Sequence, residues 1–169
     1  MFLTLIGFLP LVSSSLYCGG IKYSTVGDVD IKRYSGLWYE YSHSKNFIFE
    51  EGCSHVTAEY TETGEFVLVN NTCFRNGEYT STVGTAEIDY DTPGRLDVKF
   101  YDFQKYSPYD IIYLTEDYDV AVVFTCNGTP LTNIMWFLTR YQNPEPELVN
   151  KAMFSVNELM TVEQVVMVQ

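Results

Sequence analysis

Basic residues are scarce in this chain. Its 169 residues include 10 Lys and Arg against 22 Asp and Glu, a formal net charge of −12 at pH 7. No Lys/Arg cluster occurs, so the basic stripe that displaces counterions from nucleic acid is missing, as is the polybasic patch that docks on anionic lipid. Histidine is scarcer still, with His43 and His55 alone, on separate predicted strands and in neither H-x-H nor H-x-x-x-H spacing. No metal centre is therefore expected. There is no G-x-x-x-x-G-K-[ST] phosphate loop and no G-x-S-x-G elbow, which argues against an enzyme and leaves no cofactor to expect. No apolar run reaches the roughly 20 residues of a membrane-spanning helix. Internal repeats and low-complexity segments are absent as well.

What is present is apolar and aromatic. Hydrophobic residues make up 46%, which rules out intrinsic disorder. The 14 Tyr, 11 Phe and 2 Trp favour strands over helices. Residues 1–15 carry no charged side chain; an apolar run from Phe2 to Val12 precedes Ser13, Ser14 and Ser15. This reads as a secretory signal peptide cleaved near Ser15, leaving 16–169 as a single extracellular domain. Bulky Tyr17 before Cys18 makes a poor lipid-attachment box. Secretion suits the four cysteines, an even number that permits two disulfides.

Turn signals at Thr63-Gly64, Asn76-Gly77, Thr92-Pro93-Gly94, Ser107-Pro108, Glu116-Asp117 and Gly128-Thr129-Pro130 separate short segments rich in Val, Ile, Tyr, Phe and Thr. They predict strands over 37–45, 53–61, 65–74, 78–89, 95–102, 109–115, 119–126 and 133–140. Alternation is clearest where Leu96, Val98 and Phe100 face one way and Asp97 and Lys99 the other. One helix is predicted over 145–157 after Asn143-Pro144, with Leu148, Ala152 and Val156 on its apolar stripe. A short terminal strand is expected over Val162–Val168. Antiparallel strands in this number fold as a sandwich or as a closed barrel.

The hairpin turn centred on residue 63 sets Cys53 opposite Cys73, within reach of a bridge. Cys18 and Cys126 then remain as the second pair. Four cysteines allow three pairings, so register is the argument for this one.

Gly36-Leu37-Trp38-Tyr39-Glu40 opens the first predicted strand, after a helical turn at Asp30–Tyr34. Thr115-Glu116-Asp117-Tyr118 makes a later turn, and Arg140 closes Trp136-Phe137-Leu138-Thr139-Arg140 just before the Pro-led helix. In this order the three segments resemble the lipocalin signature over nearly the whole mature chain. The likeness is nearest to the branch that holds apolipoprotein D, bacterial outer-membrane lipocalins and arthropod pigment binders. The resemblance implies an all-β fold: an eight-stranded antiparallel up-and-down barrel, closed at one end, with the helix packed outside. It implies that Trp38 plugs the closed end beneath Arg140, and that Gly36, Tyr39, Glu40 and Asp117 are structural rather than catalytic. It also matches the Cys18–Cys126 bridge. Cys53 matches a family cysteine that often bonds to the C-terminal tail; Thr161–Gln169 has no Cys, which favours Cys73 instead.

A lipocalin cup implies a small hydrophobic ligand, of fatty acid, sterol, retinoid or bilin type, held in the barrel and carried outside the cell. Inward parity nominates Leu96, Val98, Phe100, Tyr109, Ile111, Tyr113 and Trp136 as lining, with Phe47 and Phe49 as a lid at the mouth and Lys45 at the rim. If Glu40 or Glu59 pointed inward, the cup would suit a small amine. Exposed aromatics at Phe47, Phe49, Phe103 and Tyr106 would alternatively serve a protein partner. Catalysis by a cysteine is not expected, because all four have partners. Asn70 and Asn127 head N-glycosylation sequons, and a monomer or weak homodimer is expected.

Overall fold

The computed structural model describes residues 15–45, 47–102, 105–126, 133–159 and 167–168. The expected signal peptide, apart from Ser15, lies outside the described residues, as do Phe103 and the sequon at Asn127. In chain order the elements are β1 (Leu16–Cys18), β2 (Ile21–Tyr23), α1 (Ile31–Tyr34), β3 (Gly36–Ser44), a 3-10 turn at Ile48–Glu50, β4 (Ser54–Glu62) and β5 (Val67–Arg75). They continue with β6 (Glu78–Ile88), β7 (Arg95–Lys99), β8 (Ser107–Leu114), β9 (Val120–Thr125), β10 (Ile134–Thr139), α2 (Pro146–Leu159) and β11 (Met167–Val168).

Each strand from β3 to β10 pairs antiparallel with the next, and β10 returns to β3, closing an eight-stranded barrel. Closure leaves no unpaired edge between first and last strand. A sandwich is thereby excluded. β11 lies beside β3, with Met167 opposite Ser44 and Val168 opposite His43.

Two apolar clusters share the barrel wall. The inner one gathers Trp38, Tyr34, Leu96, Ile111, Val123 and Leu138. The outer one sets Ile112, Val120, Val122, Phe124 and Phe137 against Val149, Ala152 and Val156 of α2. β9 is buried along its whole length because its two faces belong to the two clusters. Pro146, not Pro144, leads α2; the amides of Leu148 and Val149 bond to the carbonyl of Glu145, so the helix starts one residue later than predicted. α1 is capped by the Asp30 side chain, which accepts from the Lys32 and Arg33 amides.

Local chemistry moves several boundaries. Pro108, expected in a turn, lies in β8 opposite Asp97, near the strand start where its missing N–H does least harm to the ladder. The β4–β5 turn is longer than predicted: Glu62 pairs with Val67, and Thr63 accepts from the Glu65 and Phe66 amides. A bulge between Ser54 and Thr57, with His55 at φ +52°, absorbs part of the shift. Cys53 is therefore diagonal to Cys73 rather than directly opposite, yet the two are bridged with Cα atoms 5.5 Å apart. The second disulfide joins Cys18 to Cys126. It fastens the β1–β2 hairpin, which sequence pattern did not reveal. The hairpin is also held by Tyr23, whose hydroxyl donates to the buried Asp110 carboxylate at 2.8 Å; Arg95 grips the same carboxylate through Nε and Nη2.

Candidate functional site: a cavity at the open end of the barrel

One end of the barrel is shut by Trp38, which is fully buried. Its indole N–H donates to the Tyr34 carbonyl at 2.8 Å, and the Arg140 guanidinium lies 3.9 Å above its ring. The same guanidinium donates to the carbonyls of Arg33, Tyr34, Ser35, Leu37 and Tyr118. Gly36, at φ +95°, passes close beneath it; a Cβ there would sit 3.4 Å from Nη1. In the β8–β9 turn the bonding falls to Thr115, which accepts from the Asp119 and Val120 amides, and to Tyr118, stacked under Arg33 at 4.1 Å. Asp117 is exposed.

At the opposite end, where β3 leads into the 48–50 turn and β5 meets β6, lies a cavity of about 440 Å³. That is ample for a small ligand. Val98, Phe100, Tyr109, Trp136 and Phe47 line it. Phe47 packs edge-on to Trp136, ring centroids 5.1 Å apart. Phe100 turns inward over Gly84, where an added Cβ would come within 2.7 Å of its ring. The remaining lining nominees sit elsewhere. Leu96 and Ile111 pack in the inner cluster around Trp38 and border a separate crevice of about 330 Å³ with Val29 and Ile31. Tyr113 faces the outer cluster, because a bulge between Ile111 and Tyr113 inserts Ile112 and reverses the alternation. The Phe49 side chain lies outside the described structure. Lys45 is exposed.

Polar groups share the wall. Glu50, Asn71, Arg75 and Thr82 border the cavity. A bulge in β3 leaves Tyr41 without a partner on β10: Ser42 pairs with Phe137 and Glu40 with Leu138. Glu40 and His43 thus share the side of β3 that meets the cavity residues Leu138 and Trp136. His43 Nδ1 is 2.7 Å from Glu40 Oε1 and 3.5 Å from Glu50 Oε2. Among the described residues these three offer donor atoms all within 4.8 Å of one another, a grouping that spacing along the chain concealed because the bulge and the 3-10 turn create it. Burial first, then the charge and hydrogen bonding of Glu40, push the Glu50 carboxyl up to about 9, so it is protonated at neutral pH. Glu59 and His55 are exposed. Asn70 lies between Glu59 and Val83 in the register, and Val83 is exposed.

Beneath the cavity stand three tyrosines, of which the sequence pattern nominated one. Tyr60 and Tyr109 line it, and the Tyr109 hydroxyl is 2.7 Å from that of Tyr60 and 2.8 Å from that of Tyr34. Tyr60 shares the inward face of β4 with Ala58, a parity readable from the sequence had β4 been counted among the lining strands.

A closed barrel with an external helix, a tryptophan–arginine plug and a cavity at the far end defines a cup-shaped binding protein. A family profile described as a lipocalin-like domain matches residues 29–164, and the chain belongs to the lipocalin family. It is 34% identical to a lipocalin of Acanthamoeba polyphaga mimivirus over 145 residues, covering 79% of this chain and 76% of the relative. It is 33% identical over 129 residues to the Lazarillo protein of Schistocerca americana, covering 71% of this chain and 59% of that protein's length. Among solved structures, insecticyanin of the tobacco hornworm Manduca sexta superposes with a TM-score of 0.74 at 21% identity, over 90% of this chain and 85% of that one.

Proposed function

We propose that this protein is secreted and carries a small hydrophobic ligand in the cavity above Tyr60 and Tyr109. Lipocalins bind such ligands in the barrel. The observation that carries the reading is the 440 Å³ space left between Phe47, Phe100 and Trp136. A ligand burying about 300 Å² of apolar surface there gains roughly 7 kcal/mol before ordering costs, which leads to micromolar binding and ready release. Two disulfides suit an extracellular setting, and the acidic surface keeps a monomer or weak homodimer in solution. Asn70 is the sequon within the described residues that we assign to glycosylation. Binding rather than catalysis is favoured, since all four cysteines are bridged.

A small amine is the second reading, favoured by Glu40, which shares the cavity side of β3. Titrating the purified protein with fluorescent fatty acid, retinoid and bilin, and with a long-chain amine, tests both. Saturable binding of any of the first three supports the main reading. Uptake of the amine alone favours the second, and no uptake in any arm overturns both.

A further inference from the structure

The three tyrosine hydroxyls at the cavity floor do not balance. They hold three protons and make two hydrogen bonds, Tyr34 to Tyr109 at 2.8 Å and Tyr60 to Tyr109 at 2.7 Å. Each bond consumes one proton, whichever oxygen donates. One O–H is left over. Where it points follows from burial. Tyr34 is wholly enclosed, wedged between the rings of Trp38 and Tyr60 at centroid distances of 5.0 and 5.3 Å. An unmatched donor there would bear the full cost of desolvation. Tyr60 and Tyr109 border the cavity. The favoured order therefore starts with Tyr34 donating to Tyr109, and the spare proton belongs to Tyr109 or Tyr60, facing the ligand space. Burial holds all three phenols above their ordinary range, so they stay protonated and remain donors.

We propose that this surplus hydroxyl selects ligands with a neutral oxygen acceptor, a ketone, aldehyde or ester, on the end that enters first. The inference rests on the carrier reading and narrows its ligand class. A carboxylate is the poorer match, because the charge of Glu40 already acts on Tyr60. A bare hydrocarbon would fill the same space but leave the donor unpaired or bonded to trapped water.

The test compares methyl nonyl ketone with undecane as competitors for bound N-phenylnaphthylamine. The ketone should compete about fivefold better, the worth of one neutral hydrogen bond. In the triple variant Tyr34→Phe/Tyr60→Phe/Tyr109→Phe, which removes all three hydroxyls and orphans none, the ratio should fall to one or below, because the ketone then gives up its water partner for nothing. Equal competition in the wild type, or a ratio that survives in the variant, overturns the proposal while leaving the carrier reading intact. Failure of the probe and both competitors to bind overturns both. If the variant does not fold, the infrared carbonyl stretch of the ketone bound to the wild-type protein decides. A position lowered from that in alkane supports the hydroxyl contact, and an alkane-like position overturns it.

Discussion

Arg140 concentrates more of the closed end than any neighbour does. Its guanidinium ties α1, β3 and the β8–β9 turn through five carbonyls while covering Trp38. Replacing it with Ala strands those carbonyls and should cost about 3 kcal/mol, read as a lower urea midpoint. Lys should rescue little, since a single ammonium cannot reproduce the planar fork. Glu50 makes a prediction of opposite character. Its carboxyl keeps its proton up to about 9 in the folded protein, whereas in the unfolded chain it ionises near its ordinary value of 4.5. Between those values the folded state binds more protons, so Glu50 lowers stability progressively as pH rises through this window and adds no further change beyond it. Glu50→Gln mimics the protonated form and removes that loss. Urea unfolding at about pH 5 and about pH 9 should show the variant gaining on the wild type at the alkaline end. A constant difference would contradict the assignment.

Among the elements, the connection from β3 to β4 has most at stake, because it carries Phe47, Glu50 and Cys53 to the cavity. The Cys53–Cys73 bridge, spanning 20 residues, anchors its far end to β5. Cys53→Ser/Cys73→Ser should lose about 3 kcal/mol by the loop-entropy relation, visible as a lower melting temperature. Sequence pattern located β3 to β10 within a few residues, because alternation and turn chemistry act locally. It paired Cys53 with Cys73 although the hairpin register differed; a diagonal neighbour is also within bridging distance. It missed where bulges reverse the alternation. Tyr113 was assigned inward by counting from Tyr109, and the extra residue Ile112 turned it out. His43 and Glu40, three apart, share a side through the bulge at Tyr41. Bulges answer to closure of the barrel, a property of all eight strands that no short window of sequence carries.

At the scale of the whole molecule, the barrel is filled at one end and hollow at the other. Leu96 and Ile111 satisfied the inward pattern as well as Val98 and Tyr109 did, and all four join the inner cluster, yet only Val98 and Tyr109 reach the cavity. Parity tells which side of the wall a residue faces, not how far along the axis the packing stops. Closing the hollow artificially should separate binding from folding. Val98→Trp projects an indole into the cavity and should abolish uptake of a hydrophobic probe while the circular dichroism of the barrel persists, at a cost of about 1–3 kcal/mol from overpacking. A ligand that enters the wild-type cavity should raise its melting temperature by mass action, by an amount that grows with ligand concentration. The Trp variant should show no such rise.

The unpaired Tyr41 gives β3 an out-of-step half. Upstream of it the strand keeps time with Trp38; downstream, the phase is reset. Excising that one position would only straighten the strand, leaving Glu40, Ser42 and His43 opposite the same partners; excising the paired Ser42 instead would turn Ser44 round to the hollow and send the imidazole outside. Loss of a paired residue just past the bulge therefore acts as a gearshift for the entrance, able to exchange its chemistry in a single evolutionary step while the plug below stays untouched, whereas the bulge itself is the spare tooth that can be lost without changing gear.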